Sequence, residues 1–279
     1  MTYKTILVSL NDLQRNQVLL DRAASLVRSF DAYLQAVYVI PAIEIYASYG
    51  PEPVIFEGNR DLFRDAESSV CGAFEATLKA QGIRGDMRVI DATCPAIAGD
   101  VIDCARRSDI AIVNQPFEET SLSVVGRDFV ERVMLSSGRP TLVVPRSGRT
   151  NLAADLAIIG WSGKRESARA VFDGLPLLKM AKKVKIVWID PEMEYPHPGS
   201  LPGAELAATL SRHGVDAVVE PISTGGHDTG EALLTAIADS GAELLVMGAY
   251  GHSRLSEMIL GGVTKSVLKG MKCPVLFSH

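Results

Sequence analysis

The sequence predicts an α/β protein with two tandem domains, each a five-stranded parallel sheet in a Rossmann-like, three-layer arrangement. Three observations support this prediction: the length of the chain, the alternation of strand-like and helical segments, and the recurrence of one pattern in both halves. The 279 residues suit two domains of roughly 100–200 residues better than one. Apolar runs separated by helical periodicity are typical of βαβ units, whose crossovers give parallel strands covered on both faces.

Each half opens with a short apolar run that predicts a buried strand. These runs are residues 5–10 and residues 156–161, and apolar residues at helical spacing follow each of them. A β-rich run comes next in each half, at residues 36–41 and 185–191, and it ends at a proline that a central strand does not tolerate. The repeat therefore covers the first strand, the first helix and the second strand.

The two halves also end alike. Residues 109–113 correspond to residues 243–247 as a fourth strand, and residues 139–144 correspond to residues 273–277 as a last strand. Unpaired edges as apolar as these last strands promote aggregation. We therefore expect the last strands of the two halves to bury each other within the chain, with a homodimer as a further possibility for the assembled protein.

A polar segment separates the two halves. Residues 147–151 contain a glycine and no apolar periodicity, which is typical of a short linker. We assign the domains to residues 1–146 and 152–279. The main difference between the halves is a segment containing Pro and Gly at residues 42–59, which we interpret as a loop or lid.

Composition argues against several classes of function. The net charge of −5 comes from scattered charges, with no basic block to neutralise nucleic-acid phosphates. No run approaches the roughly 18 apolar residues of a membrane span, and the first residues lack a signal-peptide pattern, so we expect a cytoplasmic protein. The four cysteines form no CxxC pair and no His, Asp or Glu cluster has metal-ligand spacing, so we expect reduced thiols and no metal site.

The turn after the fourth strand of the second half carries the strongest candidate site. Its glycines are spaced Gly248-x2-Gly251-x9-Gly261, and Gly262 follows at the start of an amphipathic helix. Glycine lets a backbone approach a ligand closely, and the N–H groups of a helix N-terminus attract anions. Glycines in a turn are equally explained by the steric needs of turns and caps, so their placement between a strand and a helix carries the argument.

This arrangement resembles the nucleotide-binding signature of the universal stress protein family, and the resemblance covers nearly the full chain. It implies that the protein binds ATP, ADP or AMP, with or without Mg²⁺. In that family the first glycines surround the ribose and inner phosphate, the last glycine holds the outer phosphates, and adenine lies over the first two strand ends. The binding residues implied here are Trp161, Ser162, Gly163, Ile189, Met247, Gly248, Gly251, His252, Arg254, Gly261, Gly262, Val263 and Thr264.

Two positions depart from the pattern of that family. Gly262 stands where Ser or Thr is usual, so a hydroxyl is missing although the backbone N–H remains. Ser162 precedes Gly163 where members that bind ATP usually have Asp, which removes charge assistance worth about 1 kcal/mol. We expect weaker binding rather than its loss.

The N-terminal half lacks the glycine motif. Its fourth strand is followed by Asn114, and the carboxylates of Glu118 and Glu119 come next, where they would repel phosphate. Gly126 stands alone. We therefore expect no nucleotide in the N-terminal half, which would serve as a packing partner for the other half.

Several polar residues near the predicted strand ends have ordinary structural explanations. Asp228 or Thr229 is expected to cap the helix that follows residues 224–227. His227 and His252 are candidates for contacts with ribose or phosphate, and a solvent-exposed position explains each of them as well.

The resemblance implies an adenine-nucleotide-binding protein in a stress-response or regulatory context, without dedicated catalysis. A slow ATPase or an adenylate-forming enzyme is the first alternative, since residues 161–167 have a faint likeness to the first loop of ATP pyrophosphatases. An interaction module without a ligand is the second alternative. No base or nucleophile is evident near the outer phosphates, so we favour binding over turnover.

Overall fold

The computed structural model describes residues 2–42, 44–46, 54–56, 58–94, 97–116, 128–152, 154–190, 203–226, 228–249 and 262–279. The chain divides into two compact units, which meet in sequence between Arg139 and Pro140. Within the described ranges, no helix is both long enough and apolar enough to cross a membrane.

The unit Tyr3–Arg139 is built on four parallel strands. Its elements in chain order are β1 (Thr5–Ser9), α1 (Asn16–Phe30), β2 (Tyr33–Ile40), β3 (Glu44–Tyr46), β4 (Val54–Phe56), α2 (Gly58–Gln81), β5 (Gly85–Asp91), α3 (Ala98–Ala105), β6 (Ile110–Asn114) and α4 (Phe129–Ser136). The strands follow the order β6, β1, β2, β5 across the sheet, and β3 and β4 form a separate antiparallel pair. Part of the segment expected to be a loop at residues 42–59 is therefore regular structure.

The core of this unit follows directly from the apolar runs in the sequence. Every residue of β6 is buried, and so are four of the five residues of β1, because both strands have neighbours in the sheet and helices on its faces. The edge strand β5 alternates between half-buried and exposed residues over most of its length. The hydroxyl of Tyr38 donates a hydrogen bond to the carbonyl oxygen of Phe63 at 2.5 Å, which anchors α2 to β2.

The unit Pro140–His279 contains the remaining elements. They are β7 (Thr141–Val144), β8 (Leu156–Trp161), α5 (Arg165–Asp173), α6 (Leu175–Leu178), β9 (Lys183–Ile189), α7 (Ala204–Arg212), β10 (Ala217–Ile222), α8 (Thr229–Ser240), β11 (Leu244–Gly248), α9 (Gly262–Gly270) and β12 (Val275–Ser278). The strand order is β10, β9, β8, β11, β12, β7. All neighbours pair in parallel except β12 and β7, which are antiparallel.

Strand β7 lies in the compact unit of the C-terminal half. It is the last strand of the N-terminal half, yet it pairs with β12, with Leu142 opposite Leu276 and Val143 opposite Val275. All four residues of β7 are buried, so the pairing removes its apolar edge from solvent. The mutual burial of the two last strands is confirmed, and so is the α/β fold, whose ten main strands fit two tandem halves; β7 belongs to the compact unit of its pairing partner.

The segment expected to be a free linker packs against the second unit. Gly148 has a φ of 93°, and a Cβ there would collide with the carbonyl oxygen of Lys272. The backbone N–H of Arg149 donates to that same oxygen at 2.7 Å, and its guanidinium donates to Glu243 at 2.9 Å. Residues 147–151 are therefore a fixed part of the unit, and the two compact units meet in sequence before β7.

All four cysteines are free thiols. Cys104 and Cys273 are buried, Cys71 is half-buried and Cys94 is exposed. Burial raises the pKa of the Cys273 thiol to about 11, so that thiol remains protonated at neutral pH. Within the described part of the chain, no group of three or more His, Cys, Asp or Glu side chains could hold a metal ion.

Candidate functional site

The candidate site lies where the order of the strands reverses in the C-terminal unit. From β8 the chain continues to β9 on one side, whereas β11 lies on the other side of β8. Connections that leave neighbouring strands in opposite directions open a crevice beyond the carboxyl ends, where α/β sheets bind ligands. The crevice of this unit is therefore bounded by the residues that follow Trp161 of β8 and Gly248 of β11.

Two tryptophans lie at the carboxyl ends of neighbouring strands. Trp161 of β8 and Trp188 of β9 are in register, and their rings meet edge to face, with centroids 6.4 Å apart and an interplanar angle of 88°. Trp188 is buried and Trp161 is half-buried. Because these are the two tryptophans of the whole chain, indole fluorescence reports on this region alone.

The hydroxyl of Ser162 is committed to the turn between β8 and α5. It accepts a hydrogen bond from the backbone N–H of Lys164 at 3.4 Å and donates to the hydroxyl of Ser167 at 3.1 Å. Ser167 in turn donates to the carbonyl oxygen of Lys164 at 2.9 Å. Gly163 has a φ of 68°, in the left-handed region that favours glycine. Ser162 and Gly163 therefore shape the rim of the crevice, and Ser162 brings no charge to it.

Gly248 is required by packing within the protein. A Cβ at this position would lie 2.5 Å from the carbonyl carbon of Glu166 and 2.6 Å from the backbone nitrogen of Ser167. Because main-chain atoms cannot turn aside as a flexible side chain can, only glycine allows the first turn of α5 to approach β11 this closely. This steric role accounts for Gly248 without a ligand, although the same contact fixes the wall of the crevice.

Met247 and Ile189 support the site from the core. Met247 is buried, and it lies opposite Gly160 of β8, where an added Cβ would come within 3.3 Å of the Met247 Cβ. Ile189 ends β9 and is half-buried beside Ile222 of β10. Of these two predicted site residues, only Ile189 leaves side-chain surface at the carboxyl edge.

A carboxylate that was not among the predicted site residues joins the ends of β9 and β10. Asp190 has a φ of 47°, and its carboxylate accepts hydrogen bonds from the backbone N–H of Thr224 at 3.0 Å and from its hydroxyl at 2.7 Å. The hydroxyl bond contributes most to lowering the pKa of Asp190 below its usual value, and the N–H bond adds to it. The sequence feature that could have identified Asp190 is its position directly between a predicted strand and a proline.

Thr224→Val is expected to destabilise the protein in a pH-dependent way. The hydrogen bonds favour charged Asp190 in the folded state, so their contribution is complete above the ordinary Asp pKa of about 3.9. It is lost as the pH falls through the lower pKa of the folded protein. The melting temperature of Thr224→Val should therefore lie below that of wild type at pH 7, and the difference should shrink below about pH 4.

Thr209→Val is the matched control for this experiment. The hydroxyl of Thr209 donates to the carbonyl oxygen of Glu205 on the exposed side of α7, so the same substitution there removes no bond to a carboxylate. Its effect on the melting temperature should not depend on pH. A Thr224→Val difference that stays constant from pH 7 to the acid transition would contradict the assigned role of Asp190.

The N-termini of α8 and α9 lie beside each other. Asp228 caps α8, as expected, by accepting hydrogen bonds from the backbone N–H groups of Gly230 and Glu231. Helix α9 begins at the exposed Gly262 and has no acidic residue in its first turn. Val263 is half-buried and Thr264 is 2% exposed, so the side chain of Thr264 packs into the unit rather than facing a ligand at the helix start.

The described residues bring part of the predicted site together. Trp161, Ser162, Gly163, Met247 and Gly248 lie at or next to the carboxyl ends of the neighbouring strands β8 and β11, and Ile189 ends the adjacent strand β9. The predicted residues that lie outside the described ranges are Gly251, His252, Arg254 and Gly261, together with His227, Glu118, Glu119 and Gly126. Their assignments stay predictions from the sequence.

Comparison with protein sequences points to one family. The model of the universal stress protein family matches residues 188–279. A universal stress protein from Synechocystis sp. is 30% identical over 148 residues, which are 53% of this chain and 49% of that protein. Another, from Methanocaldococcus jannaschii, is 37% identical over 46 residues, which are 16% of this chain and 28% of that protein. The chain thus spans about half the length of the first relative and less of the second.

Comparison with solved structures supports the fold over nearly the whole chain. A universal stress protein from Archaeoglobus fulgidus superposes with a TM-score of 0.73 at 14% identity, covering 98% of this chain and 95% of that one. A protein described as a putative universal stress protein from Pseudomonas aeruginosa superposes with a TM-score of 0.60 at 14% identity, covering 99% of this chain and 93% of that one. A universal stress protein in complex with cAMP matches 52% of this chain and 98% of its own, with a TM-score of 0.35 at 15% identity.

Proposed function

We propose that this chain binds one adenine nucleotide in the crevice between β8 and β11. The chain belongs to the universal stress protein family, whose model matches its C-terminal residues 188–279. The observation that carries the proposal is the strand reversal at Trp161 and Gly248, with the N-terminus of α9 following the glycine motif. Ligands of open α/β sheets collect at such reversals, and anions collect at helix N-termini.

The adenine ring is assigned to the side of the crevice formed by β8 and β9. Trp161 and Ile189 are both half-buried there and offer apolar surface to a flat ring. The paired rings of Trp161 and Trp188 fix this surface, because each restricts the other. A base bound against it would change the fluorescence of the two indoles.

The phosphates are assigned to the opening turn of α9. The first N–H groups of a helix have no partners within the helix and carry about half a positive elementary charge together. Gly262 is exposed and has no side chain, and the nearest atom to an added Cβ, among the described residues other than its chain neighbours, would be 4.0 Å away. The helix start therefore has room for an anion beside its N–H donors.

We propose that the protein binds the nucleotide without dedicated catalysis of its hydrolysis. Hydrolysis requires a base that positions water, or a nucleophile, close to the outer phosphates. Among the described residues at the start of α9, Gly262, Val263 and the buried Thr264 supply neither. The stress-response or regulatory context is inferred from the family.

Replacement of Gly251 or Gly261 by Val is expected to weaken ATP binding by at least about tenfold, because the side chain would occupy space that the phosphates need. Steric exclusion of this kind costs more than the roughly 1.4 kcal/mol that corresponds to a factor of ten. Affinity would be measured by titrating tryptophan fluorescence with ATP. Each variant must first melt cooperatively near the wild-type temperature.

Gly99→Val provides the matched control. Gly99 lies in α3 of the other unit, and an added Cβ there would meet no atom within 4 Å. The variant should bind ATP as wild type does. A folded Gly251→Val protein with wild-type affinity for ATP would show that the glycine motif has a structural role alone, and the proposed function would fail.

A further inference from the structure

The carboxylate of Asp228 has a fixed orientation because it caps helix α8. Its Oδ1 atom accepts hydrogen bonds from the backbone N–H of Gly230 at 2.9 Å and of Glu231 at 3.2 Å. These bonds satisfy two of the free donors at the start of α8 and fix the orientation of the carboxylate. The second oxygen, Oδ2, is left to face the neighbouring helix.

The close packing of the two helices brings this second oxygen to the start of α9. A Cβ on Gly230 would lie 2.6 Å from the Cβ of Ser266 and 3.2 Å from the carbonyl oxygen of Val263, so the approach requires glycine at this position. Among the described residues other than its chain neighbours, the atom nearest to a Cβ on Gly262 would be Oδ2 of Asp228, at 4.0 Å. The carboxylate therefore stands directly beside the first residue of α9.

A phosphate at the start of α9 would meet this negative charge. The helix N-terminus attracts an anion, but a carboxylate a few ångströms away opposes each further charge that the anion carries. Asp228 is exposed, so water and salt screen the repulsion without abolishing it. Gly262 supplies no hydroxyl that could offset it. The penalty grows with the number of phosphate charges that reach α9.

We propose that Asp228 sets the phosphate preference of the site, so that in the absence of divalent cations it selects adenine nucleotides with few phosphates over ATP. This inference rests on the proposed function and names the ligand class more narrowly. The base, ribose and first phosphate supply the affinity, and the outermost phosphates add little because the Asp228 carboxylate repels them.

Asp228→Asn isolates the charge, because Asn caps helices about as well as Asp. The dissociation constants of AMP, ADP and ATP would be measured from tryptophan fluorescence at low salt with EDTA. Wild type should bind AMP at least as tightly as ATP. Asp228→Asn should tighten ATP binding about 3- to 10-fold and leave AMP within about twofold, as expected for one charge a few ångströms away in a partly aqueous setting.

Asp216→Asn is the matched control. Asp216 is also exposed, but it directly precedes β10 at the opposite, amino-terminal edge of the same sheet. The same loss of charge there should change no affinity. The ATP-specific gain of Asp228→Asn should also decline as salt is raised, because the repulsion is electrostatic, whereas a purely structural effect would not.

The outcomes separate this inference from the proposed function. If Asp228→Asn changes the affinities for AMP, ADP and ATP equally, or changes none of them, the inference is overturned while nucleotide binding stands. If neither wild type nor the variant binds any of the three nucleotides, the proposed function is overturned and the inference falls with it.

Discussion

Gly248→Val is expected to lower the free energy of unfolding of the C-terminal unit by about 1–3 kcal/mol or more. The new side chain would enter space held by the main chain of Glu166 and Ser167, at 2.5 and 2.6 Å from an added Cβ. Overpacking against backbone forces a strand or a helix to shift, and such shifts cost about 1–3 kcal/mol or more. The measurement is equilibrium denaturation followed by tryptophan fluorescence.

Gly262→Ala tests whether that cost is specific to the position. Gly262 also lies in the glycine motif, but within the described part of the chain an added Cβ there would come no closer than 4.0 Å to an atom outside its chain neighbours. The free energy of unfolding should stay within about 0.5 kcal/mol of wild type. If Gly248→Val were as stable as Gly262→Ala, the packing of α5 on β11 would be wrong, and Gly248 would again be explained best by a ligand.

Leu276→Asp is expected to destabilise the protein by about 4 kcal/mol or more and to cause aggregation. Leu276 is completely buried in β12, between Val246 of β11 and Leu142 of β7. An isolated carboxylate at this position would lose its hydration without gaining a partner, which is among the largest penalties that one substitution produces. Soluble yield and denaturation midpoints would measure the effect.

Leu135→Asp is the matched control for the buried charge. Leu135 lies on α4 and is 36% exposed, so a carboxylate there keeps its contact with water. This variant should remain soluble and lose no more than about 1 kcal/mol of stability. Wild-type stability of Leu276→Asp would contradict the pairing of β7 with β12.

The strands were predictable because their signal is local. The predicted strands at residues 5–10, 109–113 and 156–161 contain uninterrupted apolar runs at residues 6–8, 110–113 and 156–159, as is typical of strands covered on both faces. The capping role of Asp228 was predictable for the same reason, since its hydrogen-bond partners are two and three residues away.

The grouping of β7 with the second unit could not be predicted. The sequence indicated that both last strands need partners, but the direction of pairing and the unit boundary follow from the complete sheet. The bond between Asp190 and Thr224 joins residues 34 positions apart, and no local pattern reveals it. Contacts of this kind depend on strand order, which the chain specifies only as a whole.

The steric role of Gly248 could not be predicted from the sequence either, because it depends on which part of the chain packs against that strand end. A glycine at the end of a strand looks the same in sequence whether it makes room for a ligand or for a helix. The distances to Glu166 and Ser167 distinguish the two explanations, because they show main chain where a side chain would be. In the N-terminal half the corresponding position is Asn114, a buried residue whose side chain occupies space at that strand end.

The proposed binding of one adenine nucleotide in the C-terminal half is best tested by calorimetric titration with ADP and with ATP. Before titration, mass spectrometry of material released from the denatured protein would establish whether a nucleotide is already bound. We expect a stoichiometry of one nucleotide per chain, accompanied by a change in tryptophan fluorescence. Two equivalent sites, or no binding by protein shown to be free of nucleotide, would contradict it.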